Sequence, residues 1–191
     1  MIAALRRLRE SDPELATRLR LHFVGTSCAT PAQAPLFARP MADEYGVGDL
    51  VTESTARIGY LDSLRLMQAA DGLILLGSDD LTYSPSKIYP SYMTGRPILA
   101  LAHHGSLLAD LLTRLQCARL VQLLVPGHEM EPAREVAGIL CDIAEQRDAS
   151  HGQPQRNPAW FKEHLLAEVG ARRQCAVFDA AVVNAGTPAG N

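Results

Sequence analysis

Gly72-Leu73-Ile74-Leu75-Leu76-Gly77, followed by Ser78-Asp79-Asp80-Leu81-Thr82-Tyr83-Ser84-Pro85-Ser86-Lys87, decides how the rest of the chain is read. An unbroken aliphatic run between two glycines is apolar on both faces, which a strand tolerates where helices cover it from both sides. The same rhythm continues toward the C-terminus. Ser86–Thr94 reads as a helix closed by Gly95, Pro97–Ala102 as a strand, Ser106–Gln116 as a helix capped by Ser106, Arg119–Leu124 as a strand and Glu129–Arg147 as a long helix. Toward the N-terminus lie a helix over Asp62–Ala70 and strands over Ala56–Tyr60 and Leu21–Gly25. An amphipathic helix that starts near Ala3 and restarts at Asp12-Pro13 precedes them. Residues 26–53, with Pro31, Pro35, Pro40, Gly46 and Gly48, read as a long excursion holding a short helix near Pro40–Tyr45. The expected fold is α/β, a Rossmann-like doubly wound, mostly parallel sheet of about five to six strands with helices on both faces. Residues 1–150 make this domain, and 151–191 a linker, a helix from Pro158 bearing Trp160, and a tail frayed from Thr187, packed on the same domain.

Composition bounds the function. A chain of 191 residues with 18 Lys+Arg, 21 Asp+Glu, net charge −3 and 47% hydrophobic residues holds one globular domain. It has no basic stripe for nucleic acid. Arg6, Arg7 and Arg9 interrupt any signal-peptide core, and no apolar run nears the ~18 residues that span a bilayer, so a soluble cytoplasmic protein without a transmembrane segment is expected. Cys28, Cys117, Cys141 and Cys175 are scattered without a Cys-x-x-Cys pair and read as buried thiols. The histidines show no helical i, i+4 pair, so no metal site is expected. A Gly-x-Ser-x-Gly elbow and a Gly-x-x-x-x-Gly-Lys loop are both absent from the sequence.

Ligands of doubly wound sheets sit outside the carboxyl ends of the strands. That directs attention to Gly25–Thr30, Tyr60-Leu61, Gly77–Ser86 and His103–Ser106. If Ser84 or Pro85 starts the helix after the central strand, the amides of Ser86, Lys87 and Ile88 face outward to an anion, and Lys87 adds a full charge. The plain alternative is an ordinary strand-to-helix turn with a solvated lysine. Asp79 and Asp80 read as turn formers or as a carboxylate for a ligand. Tyr83, Tyr89 and Tyr92 line a pocket or pack the helix, Tyr89 and Tyr92 fitting its inner face better. One imidazole of His103-His104 points toward the cleft or neither does, and Ser106 is most simply an N-cap.

Gly72–Gly77, then Ser84-Pro85-Ser86-Lys87-Ile88-Tyr89, then Thr94-Gly95-Arg96-Pro97-Ile98-Leu99 resembles the donor-binding half of GT-B glycosyltransferases, in particular the family 4-like retaining enzymes. Leu21–Thr26, Arg57–Leu61 and Ala69-Ala70-Asp71 fall in the family's order, so the likeness runs from about Leu5 to Leu124. The resemblance implies a nucleotide-sugar site in which Ser84, Ser86 and Lys87 meet the diphosphate and Gly25 admits the nucleotide to the backbone. Ile58 and Tyr60 would flank the base, Tyr60 either stacking on it or standing at the rim, with Asp79, Tyr83 and His104 as weaker base or sugar contacts. It names no catalytic residue in this chain. The donor is a substrate, and neither a cofactor nor an obligatory metal is implied.

Two departures from the family pattern matter. Thr82 and Pro90 stand where the family carries a pair of glutamates, and Pro90 fits a helix only if that helix begins near Lys87 or bends. The acceptor-side domain and the first donor-domain strand, which lies mid-sheet, have no counterpart. Cys175–Phe178 or Ala181–Val183 could fold back as that strand, or a second copy could donate one. The implied function is the nucleotide-diphosphate-sugar-binding half of a retaining GT-B glycosyltransferase, incomplete for catalysis without an acceptor-domain partner. The competing class is a non-catalytic Rossmann-like module that binds a phosphorylated metabolite or regulates a partner glycosyltransferase.

Overall fold

In the computed structural model, which describes residues 1–27, 34–123, 130–145 and 156–185, the N-terminal pattern folds as α1 (Ile2–Ser11) and α2 (Pro13–Arg18). Asp12 separates them: its Oδ1 accepts from Leu15 N at 2.9 Å, and Pro13 takes a first-turn position that needs no N–H donor. Strand β1 (Leu21–Val24) follows, then α3 (Ala38–Glu44), a single 3-10 turn (Gly48–Leu50) and β2 (Val51–Ser54).

The strand expected over Ala56–Tyr60 is therefore displaced. It forms over Val51–Ser54, inside the stretch read as an excursion, while Tyr60 opens the next helix. Long-range contacts place the strand. Leu50 and Val51 are fully buried, and the Glu53 side chain turns back to accept from the amides of Phe37 (3.0 Å) and Arg39 (2.9 Å) and from Thr26 Oγ1 (3.0 Å). Glu53 thereby supplies the cap that α3 lacks from its own residues.

The remaining elements are α4 (Tyr60–Ala69), β3 (Leu73–Leu76), α5 (Ile88–Thr94), β4 (Ile98–His103), α6 (Leu107–Leu115), β5 (Arg119–Leu123), α7 (Met130–Ala144), α8 (Pro158–His164) and α9 (Ala167–Ala185). Gly95 closes α5 at φ +76°, and the Ser106 hydroxyl caps α6 by accepting from Ala109 N at 3.2 Å. Every strand pairing is parallel, and helices lie on both faces, as expected of an α/β fold. The five strands of the described residues fall into two sheets, however: β1-β2, with Leu21 opposite Val51, and β3-β4-β5, with Leu73 opposite Ile98 and Leu99 opposite Arg119.

β4 shows how the core is divided. Leu99 and Leu101 join a cluster with α1, α2 and α7 that also takes in Leu21 of β1, Val51 of β2 and Val121 of β5. Ile98, Ala100 and Ala102 face the other way, onto α5, α6 and α8. Tyr92 of α5 is buried there and stacks on Phe161 of α8 at 4.4 Å, whereas Tyr89 is exposed, so only one of the two tyrosines packs the inner face. Asn157 caps α8 by accepting from Trp160 N at 3.0 Å.

The C-terminal candidates for a returning strand, Cys175–Phe178 and Ala181–Val183, both lie within α9. The alanine-rich run of residues 167–185 favours a helix, and an Arg172–Glu168 ion pair one turn apart reinforces it. Cys175 is exposed on this helix and Cys141 is partly buried, so only Cys117 meets the expectation of a buried thiol, and Cys28 lies outside the described residues. Burial pushes the Cys117 thiol up to about 11, against the pull of Arg156. Helix α4 buries none of its side chains, and Leu61 and Leu66 are 64% and 44% exposed.

Two measurements check this picture. Leu99→Ala should cost about 2 to 5 kcal/mol in urea denaturation, as at other fully buried leucines, whereas Leu66→Ala should stay within about 0.5 kcal/mol. A large loss at Leu66 would mean that α4 packs on a core. Burial acts to raise the Glu53 pKa, but the amides of Arg39 and Phe37, the Thr26 hydroxyl and the Ala38 amide outweigh it and hold the carboxyl below its ordinary 4.5. The stabilisation from Glu53 is therefore present above that value and lost as pH falls through the depressed one. Glu53→Gln should remove this acid limb, seen by circular dichroism across pH 2 to 6.

Candidate functional site

Tyr60 and Lys87 come together although they follow different sheets. Tyr60 is the first residue of α4, after β2, and Lys87 immediately precedes α5, after β3. Lys87 Nζ lies 5.8 Å from the Tyr60 ring centroid, within cation–π range. Lys87 has no carboxylate partner among the described residues, and both it and Ser86 are exposed. The contact brings the segment that follows β2 against the segment that follows β3.

Helix α5 starts later than the sequence suggests. Lys87 is its N-cap and Ile88 its first residue, so Pro90 occupies the third helical position, where an N–H would have no intrahelical acceptor. The Ile88 amide donates to Pro85 O at 3.0 Å and is taken up in the turn. Of the three amides expected to face outward, Ser86 and Lys87 keep theirs free of protein acceptors among the described residues. With only seven residues in the helix, charge on Lys87 outweighs the helix dipole as the attraction for an anion.

The loop leading to Lys87 is fixed at several points. Asp80 Oδ1 accepts from Thr82 N at 2.9 Å and from Thr82 Oγ1 at 2.7 Å, which lowers its pKa and makes it the turn former. Leu107 N donates to Leu81 O at 2.7 Å, pinning the loop to the first turn of α6. Asp79 Oδ1 lies 3.2 Å from His103 Nε2. Tyr83 is exposed, and the Ser84 Oγ is buried without a hydrogen-bond partner among the described residues.

Gly25 sits at φ +73°, which demands glycine, and its amide donates to Ser54 O at 2.8 Å. A Cβ there would lie 3.7 Å from Arg57 Cα, so Gly25 abuts an exposed arginine that the sequence reading did not single out. Ile58 is exposed but belongs to no strand, so the strand end expected at Ile58–Tyr60 to flank a base does not form. His104 is exposed with its amide on Leu123 O, and it is His103, the last residue of β4, that meets the loop. Alternation along β4 carried that signal, since His103 shares a face with Leu99 and Leu101. No cluster of His, Cys, Asp or Glu suited to a metal ion occurs among the described residues.

No family model matches the sequence. Over 60 residues, 31% of this chain, it is 40% identical to the D-inositol 3-phosphate glycosyltransferase of Stackebrandtia nassauensis, a match that covers 14% of that enzyme. The chain resembles a glycosyltransferase. Among solved structures, WaaG, a glycosyltransferase involved in lipopolysaccharide biosynthesis, aligns at 19% identity and a TM-score of 0.49 over 86% of this chain. The chain spans 42% of WaaG, so in both comparisons it corresponds to less than half of the relative. No helix among the described residues is long and apolar enough to cross a membrane.

Because the Ser84 hydroxyl is buried without a partner, Ser84→Ala should leave stability unchanged or raise it by up to about 1 kcal/mol in ligand-free protein. Loss of stability in a thermal melt would show that the hydroxyl is bonded after all.

Proposed function

We propose that this chain is the nucleotide-diphosphate-sugar-binding half of a retaining GT-B-type glycosyltransferase, acting in the cytoplasm and completed by an acceptor-binding partner. The observation that carries the reading is the unpaired Lys87, beside the free amides of Ser86 and Lys87 and facing Tyr60, in the motif that resembles the family. In this reading Lys87 and the two amides receive the diphosphate, the Ser84 hydroxyl gains a partner, Gly25 lets the nucleotide approach and Tyr60 stacks on the base. Ile58, Asp79, Tyr83 and His104 stand nearer the base or sugar, and residues 1–150 form the binding unit. The chemistry asked of these groups is electrostatic: they neutralise charge on the diphosphate as it leaves, with no obligatory metal.

A second reading, a module that binds a phosphorylated metabolite without transfer, is favoured by the carboxylates. Thr82 and Pro90 replace the glutamates of the resembled family, and Asp80 is spent on Thr82. The two readings differ in whether the sugar adds affinity.

Thermal shift with UDP, GDP, ADP, TDP and their common sugar conjugates tests both. A ligand at ~100 times its dissociation constant adds about 2.7 kcal/mol of stability, and Lys87→Ala should abolish the shift. A sugar conjugate that stabilises more than its bare diphosphate supports the donor reading; equal shifts support the module. No shift with any nucleotide would overturn both, and glycosyl transfer by the 191-residue chain alone would refute its incompleteness.

A further inference from the structure

Helix α9 stands off from the other described elements. Its first turn is tied to the end of α8, where the amides of Val169 and Gly170 both donate to Leu166 O and the Val169 side chain is half-buried. From Ala171 to Val182, about three helical turns, every residue is exposed, with Val177, Phe178 and Val182 at 66%, 60% and 73%. A helix standing in water draws no stability from packing, and large apolar side chains gathered on it are surface that an interaction would cover.

Four of the apolar positions form a line. Ala171, Cys175, Phe178 and Val182 follow one another at steps of four, three and four, which at 3.6 residues per turn makes a stripe about 60° wide along one side of the helix. Alternating steps of four and three are the seam pattern of a coiled coil. The next seam position toward the N-terminus is the charged Glu168, so the stripe ends at Ala171.

The charges beside the seam select its occupant. Arg172 and Asp179, seven residues apart, flank it on one side, and the uncharged Gln174 and Ala181, also seven apart, flank it on the other. Two such helices laid antiparallel, with Cys175 level with Phe178 of the second copy and Ala171 level with its Val182, set Arg172 opposite Asp179 of the second copy and Asp179 opposite its Arg172, while the uncharged flanks meet each other. A parallel pair would set Arg172 against Ala167 and Asp179 against Gln174, leaving both charges unmatched. Arg172 already pairs with Glu168 on its own helix, but that pair is exposed and the guanidinium keeps donors for a second carboxylate. The antiparallel arrangement is its own two-fold mate, so it closes at two copies.

We propose that α9 docks antiparallel on α9 of a second copy of this chain, through a seam of Ala171, Cys175, Phe178 and Val182 flanked by two Arg172–Asp179 ion pairs. Four apolar layers make a small interface, so the association is weak, with a dissociation constant on the order of 10 to 100 µM. The inference does not depend on nucleotide binding, and its test uses no nucleotide.

The experiment is sedimentation equilibrium of the full chain from about 5 to 500 µM, with a reductant that keeps the Cys175 thiol free and at low salt, which preserves exposed ion pairs. The chain should pass from monomer to dimer over that range. Phe178→Glu should weaken the dimer at least ~10-fold while its melting temperature at the lowest concentration matches the parent, since this side chain packs on nothing else. Asp179→Arg should weaken it at least ~3-fold, and adding Arg172→Asp to that variant should restore it, because the exchanged charges again face each other. A chain that stays monomeric throughout, a Phe178→Glu variant that dimerises as the parent does, or a double exchange that fails to restore the dimer would each overturn the proposal.

Discussion

The seating of α1 and α7 across both sheets is the constraint on which the rest of the structure depends. In an ordinary parallel sheet the hydrogen-bond ladder sets the position of each strand, but here the ladder stops at β1 on one side and at β3 on the other. What joins the halves is apolar burial: Leu5 and Leu8 of α1 and Val136 and Leu140 of α7 meet Leu21, Val51, Leu99 and Val121 in one cluster. Such burial is strong, on the order of 25 cal/mol per Å², but it has no direction and sets no register. A few polar ties add direction: Arg18 donates to Ala144 O at 2.9 Å, and Arg119 pairs with Asp142 between β5 and α7.

Where a local signal was unopposed, the sequence was legible. The doubly apolar β3, the caps at Asp12 and Ser106, the stop at Gly95 and the cap-and-proline start of α8 all formed where their side chains direct. Legibility failed where long-range contacts decide. Val51–Ser54, with a single aliphatic residue, reads as part of an excursion, and it becomes a strand through Glu53 reaching α3 and burial of Leu50 and Val51, both of which require the fold to exist first. Residues 175–183 can serve as strand or helix, and with no described contact to hold them extended, helix propensity prevails.

The site was legible in its residues but not in its contacts. Lys87, Ser86 and Tyr60 are recognisable from the motif order, yet nothing local reveals that the lysine and the ring meet. The start of α5 turned on two prolines: Pro85 accepts the Ile88 amide in a turn, and Pro90 tolerates only the first turn of a helix. Residue type alone does not distinguish His103 from His104, whereas strand parity does.

The same division of the sheet bears on how the site is held. The loop from Gly77 to Lys87 is fastened to the three-stranded sheet by the Gly77 amide on Leu101 O, the Leu107 amide on Leu81 O and the Asp79–His103 pair. Tyr60 instead rides on α4, whose last turn is held by Arg96 donating to Gln68 O at 2.7 Å and whose side chains are not buried. A cation over an exposed ring contributes only about 0.5 to 1 kcal/mol, too little to hold α4 by itself. Lys87 thus follows a loop fastened at several points, whereas Tyr60 stands on a helix held by fewer ties.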